Sequence, residues 1–130
     1  MTRRLTLLVV AALVAACSNT TAVGVLNGRY TVTGVRSTGD TLFSGTLDLT
    51  EAFATVHGSS DIRWHPTGGI QSGPLEGRLA GDSVSLNLEP GNHVDVWFLL
   101  NGVLTPDGFT GSWNIGNLNL GTGTFTAHRS

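Results

Sequence analysis

The chain has 130 residues, enough for one domain, and its seven arginines, nine acids and complete lack of lysine leave a formal charge of −2. A surface this poor in cations cannot neutralise many phosphates, which argues against nucleic-acid binding, and without a lysine amine there is no Schiff-base chemistry. A single cysteine excludes an intramolecular disulfide and a cysteine-rich zinc site.

That cysteine closes the first element. Thr2, Arg3 and Arg4 form a cationic head, Leu5 to Ala16 is apolar apart from Thr6, and two small residues, Ala15 and Ala16, precede Cys17. This is the three-part layout of a secretory signal. Its twelve apolar-rich residues fall short of the roughly twenty that a helix needs to cross the hydrocarbon core. On the residues alone, Cys17 reads as a small hydrophobe or as a residue beside an ordinary cleavage site. Val14-Ala15-Ala16-Cys17 resembles the lipobox of bacterial lipoproteins, with Val14 where leucine is usual. The resemblance implies cleavage before Cys17 and a lipid on its sulfur. It also implies a membrane-anchored place in the cell envelope; Ser18, where an aspartate would retain the protein, points to the periplasmic side of the outer membrane in a Gram-negative cell. The expected organisation is a signal peptide over 1–16, a lipidated linker over 17–26 and a β-domain over 27–130. Five arginines and nine acids then remain, a net charge of about −4.

From residue 26 onward, apolar residues alternate with polar ones in short runs punctuated by Gly, Pro, Asp and Asn, and no window carries an apolar stripe at helical spacing. The pattern predicts eight strands, at 28–36, 40–50, 53–64, 70–80, 82–89, 93–104, 108–115 and 119–128. Tyr30 faces inward on the first, and Phe43, Leu47 and Leu49 on the second. The third presents Phe53, Val56, Ile62 and Trp64. Leu75 and Leu79 follow on the fourth, and Val84, Leu86 and Leu88 on the fifth. Val96, Phe98, Leu100 and Leu104 are the inward set of the sixth, where Trp97 and Leu99 make the outer face apolar as well. Phe109, Trp113 and Ile115, then Phe125, complete the list. Short connections join antiparallel neighbours, so the predicted fold class is all-β, a single eight-stranded antiparallel up-and-down (meander) barrel. Gly45, Gly58, Gly77, Gly102, Gly111 and Gly123 fall inside strands, where glycine marks a bend or bulge.

A meander with Gly28-x-Tyr30 opening its first strand and Arg129 ending its last resembles the calycins, the lipocalin and avidin group, in which a Gly-x-Trp packs beneath a basic residue of the last strand. Here Tyr30 replaces the tryptophan. The resemblance implies that Tyr30 and Arg129 close one end of the barrel. Without it, Tyr30 reads as an amphipathic strand residue and Arg129 as a solvated terminal charge.

No catalytic set assembles. His57, Asp61, Arg63 and His65 share the outward face of the third strand, away from any desolvated pocket, so neither a metal site nor a proton relay is expected there. Serines, threonines and single carboxylates are accounted for by strand and turn chemistry. No catalytic residue, metal or cofactor is predicted, and the protein is expected not to be an enzyme. An eight-stranded interior either fills with side chains or holds one small ligand. Phe43, Trp64, Phe98 and Trp113 line the candidate cavity; their bulk favours filling, whereas the inward glycines thin the packing. The expected function is thus a non-catalytic envelope lipoprotein that binds a small apolar ligand or a partner protein. The alternative is a structural or protease-inhibitor-like envelope protein with a filled barrel.

Overall fold

The computed structural model describes residues 25–88, 98–116 and 122–130. Alternating runs become strands β1 (Gly28–Arg36), β2 (Thr41–Ala52), β3 (Thr55–Trp64), β4 (Ile70–Ala80), β5 (Ser83–Leu88), β6 (Phe98–Thr105), β7 (Gly108–Ile115) and β8 (Gly123–Arg129). All neighbours pair antiparallel in chain order. β8 then pairs with β1, from Tyr30 opposite Arg129 to Arg36 opposite Gly123, which closes the barrel and leaves no edge strand among the described residues. The period-two pattern buries one face: Tyr30, Val32, Leu47, Leu49, Val56, Ile62, Leu75, Val84, Leu86, Leu100, Phe109, Trp113 and Phe125 belong to one core.

The two ends of the barrel differ. At one end lie the start of β1, the end of β8 and three two-residue turns, 53–54, 81–82 and 106–107. The second carbonyl of each turn accepts a backbone bond from the next strand but one: Leu79 N–H donates to Ala54 O, Leu104 N–H to Asp82 O and Arg129 N–H to Asp107 O. This tight rim carries the N-terminal segment 25–27. The connections 37–40 and 65–69, with the end of β5 and the start of β6 at Leu88 and Phe98, are at the opposite end.

Two glycines show how the wall bends. A β-carbon on Gly45 would lie 1.9 Å from Asp61 O, and one on Gly58 would lie 1.8 Å from Asp48 O. β2 and β3 coil around each other so closely at these points that a neighbouring carbonyl fills the space a side chain needs. A bulge supplies a further bend. Gly34 faces Phe43 and Val35 faces Thr41, so Leu42 has no opposite residue on β1. The extra residue re-aims the strand, and consecutive Leu42 and Phe43 are both buried, which strict alternation forbids.

One expectation changes. Phe53, predicted to begin the third strand facing inward, is 87% exposed, because Phe53 and Ala54 form the β2–β3 turn with φ of 52° and 69°. Positive φ at both central residues is the hairpin geometry that matches strand twist, and it turns the Phe53 ring out of the core. The inward alternation instead continues along β2 from Leu47 and Leu49 to Glu51, which is buried. The predicted starts of strands six and eight, and with them Val96 and Trp97, lie outside the described residues; the described part of β6 runs from Phe98 and that of β8 from Gly123.

Candidate functional site

Arg129 ends β8 opposite Tyr30 of β1, so the register alone brings the two residues together. The guanidinium carbon lies 5.1 Å from the centre of the Tyr30 ring, and Nη2 donates to the Tyr30 hydroxyl at 2.8 Å. The same fork reaches the incoming chain, with Nη1 donating to Asn27 O and Nη2 to Val25 O, both at 2.7 Å. Asn27 is held a second time, because its Oδ1 accepts from the backbone N–H of Glu51 at 2.6 Å. Residues 25–27 are thereby strapped across the barrel end, and Leu26, 1% exposed, joins the core beneath the strap. Burial pushes the Tyr30 phenol above the ordinary tyrosine range, with the Arg129 charge opposing part of the rise.

Above this end the interior holds two aromatic layers. The lower one comprises Tyr30, Phe109 and Phe125, edge to face, with Phe109 5.3 Å from Tyr30 and 5.8 Å from Phe125. The upper one contains the four predicted cavity residues. Phe43 is its hub, 4.8 Å from Phe98, 5.8 Å from Trp64 and 6.4 Å from Trp113, and Trp64 lies 5.4 Å from Phe98. Both indole N–H groups are satisfied within the protein: Trp113 Nε1 donates to Val35 O at 3.0 Å and Trp64 Nε1 to Gln71 Oε1 at 2.6 Å. Half-buried Trp64 forms the outermost ring of the layer.

The inward glycines act opposite to the expectation that they thin the packing. A β-carbon on Gly34 would come 2.1 Å from the Phe43 ring, and one on Gly123 would come 1.9 Å from Val35 O and 2.5 Å from Trp113 Nε1. The Phe43 ring occupies the space that Gly34 releases, and a backbone carbonyl and the Trp113 ring share that beside Gly123. A cavity of about 10 Å³ between Ser60, Ile62, Gln71, Leu88 and Phe98 has the size of a single water molecule. Ser60 supplies a buried hydroxyl to its lining.

On the outer wall, His57, Asp61, Arg63 and His65 are all exposed. Asp61 Oδ1 accepts from Ser72 Oγ at 2.9 Å across the β3–β4 pair, and His65 Nε2 lies 2.8 Å from Ser44 Oγ, so Asp61 and His65 make polar contacts in water. Among the described residues, no three His, Cys, Asp or Glu side chains converge as a metal site would require. Cys17 lies outside the described residues.

Sequence reasoning missed Leu26, Asn27, Glu51 and Gln71, and placed Phe53 in the core. Glu51 and Gln71 carry a signal, since each continues the inward parity of its strand. Leu26 and Asn27 precede the first strand, where no periodicity reaches them. The class defined by these features is a closed all-β meander barrel, strapped at the end where β1 begins and β8 ends. The chain matches no protein-family model, and no curated protein is similar to it in sequence.

Proposed function

We propose that this protein is a lipid-anchored, non-catalytic envelope lipoprotein whose filled, calycin-like barrel is a rigid body that meets a partner protein through its outer surface. The observation that carries the reading is the occupied interior: Phe43, Trp64, Phe98 and Trp113 pack on one another, and the space beside Gly34 is taken by the Phe43 ring. This favours the filled-barrel alternative over a small apolar ligand held inside. The outer wall offers β6 for contact, where half-exposed Val103 and half-buried Leu99 face out between polar neighbours. The calycin likeness is supported by the closed meander and by Arg129 packed against Tyr30. The anchor is supported by the Arg-Arg head, the apolar run and Val14-Ala15-Ala16-Cys17.

Native mass spectrometry of protein extracted from membranes tests both parts. The expected species begins at Cys17, carries acyl chains and holds no apolar small molecule, and Cys17→Ser loses the acyl mass. An unmodified Cys17 overturns the anchor. A stoichiometric apolar ligand that is lost on substituting Phe43 or Phe98 overturns the filled barrel.

A further inference from the structure

Phe53 stands at the tip of the β2–β3 hairpin, 87% exposed, with φ of 52° at Phe53 and 69° at Ala54. Left-handed backbone is unfavourable for residues with a β-carbon, and two-residue turns of this kind ordinarily use Asn, Asp and Gly. A phenylalanine there meets neither the turn's preference nor the core's need. Its position supplies a reason. Gly28 of β1 pairs with Leu49, so β2 runs three residues further, to Ala52, before the turn begins. The hairpin therefore projects beyond the start of β1, at the same end where Val25, 41% exposed, is the first described residue of the N-terminal chain. Seven residues lie between Cys17 and Val25, eight Cα steps in all. Even fully extended they span no more than about 28 Å. An acyl chain on Cys17 would thus tether the barrel to the bilayer from this end.

We infer that Phe53 is a membrane contact, an apolar tip that enters the lipid interface beside the acyl anchor and sets the barrel upright with the opposite end facing away from the membrane. This rests on the proposed lipidation of Cys17. The surroundings suit a zwitterionic surface. Arg78, opposite Thr55 in register, is exposed next to the tip and can meet lipid phosphate, while Asp82 and Asp107 in the two other turns oppose a strongly anionic one.

The test uses full-length acylated protein, its acylation verified by mass, in vesicles of phosphatidylcholine and phosphatidylethanolamine with brominated acyl chains. The indole introduced by Phe53→Trp should be quenched and blue-shifted relative to the background from Trp64, Trp97 and Trp113. Phe53→Asn, which suits the left-handed turn, should raise the melting temperature of the barrel in detergent. An acylated protein whose introduced indole is unquenched and water-like overturns the membrane contact, leaving the anchor standing and the tip free for a protein partner. A fall in melting temperature for Phe53→Asn also overturns it, by giving the ring a structural role. If mass shows no acyl chain, the lipoprotein reading itself fails.

Discussion

Arg129 makes three side-chain hydrogen bonds and one ring contact from a single exposed guanidinium. A cation over a tyrosine contributes about 0.5–2 kcal/mol according to how far water is excluded. With the bonds to the strap included, Arg129→Ala should cost about 1–3 kcal/mol. The melting temperature then falls by roughly 4–8 °C per kcal/mol in a domain of this size, as thermal unfolding will measure. Arg129→Lys should recover only part of the loss, because an ammonium cannot reach Val25 O, Asn27 O and the Tyr30 hydroxyl from one planar fork. Tyr30 adds a pH dependence. Its folded pKa is raised above the unfolded value of about 10, so the fold favours the neutral phenol. That stability is fully present below about pH 10 and is lost as pH rises through the folded value. Alkaline unfolding curves should show this fall in the parent protein and a flatter limb in Tyr30→Phe.

Among the elements, β1, β2 and β3 show how a strand-rich sequence becomes a tightly curved wall. Gly34→Ala places a methyl against the Phe43 ring, a side chain that a smaller residue can replace, whereas Gly45→Ala places one against Asp61 O, which is backbone. Overpacking of this kind costs typically about 1–3 kcal/mol. Denaturant titration should find both variants destabilised. Phe43→Leu should offset part of the Gly34→Ala cost, and no single side-chain change should offset that of Gly45→Ala. A double-mutant cycle with strong coupling at Gly34–Phe43 is the expected signature.

At the scale of the molecule, Trp113 ties together strands that do not pair. It stands on β7, yet its indole N–H bonds to Val35 O of β1, across β8, while its ring packs on Phe43 of β2. Trp113→Ala should cost about 3–5 kcal/mol, since it empties the upper aromatic layer and leaves the Val35 carbonyl without this donor. The loss should reach the closing seam. Amide hydrogen exchange along the β1–β8 ladder should quicken more than along β3–β4, whose pairing Trp113 does not touch.

The class of fold was legible in the alternation itself, because a strand with one buried face must place apolar residues at every second position; Val84, Leu86 and Leu88 show it, and all three are buried. Short turn-rich connections then left little besides a meander. The meeting of Tyr30 and Arg129 could be suggested only by resemblance, since a contact between residues ninety-nine positions apart depends on the register of the closing strands. Where periodicity ends, so did the reading. Phe53 carries the same apolar signal as Val56, and only the left-handed turn separates an exposed tip from a core residue. The filling of the interior was also undetermined by the chain alone, for an inward glycine is equally a void or a berth for a neighbouring ring. At Gly34 tertiary packing gives the space to the Phe43 ring, because which ring swings into it depends on rotamers and strand stagger that no local pattern encodes.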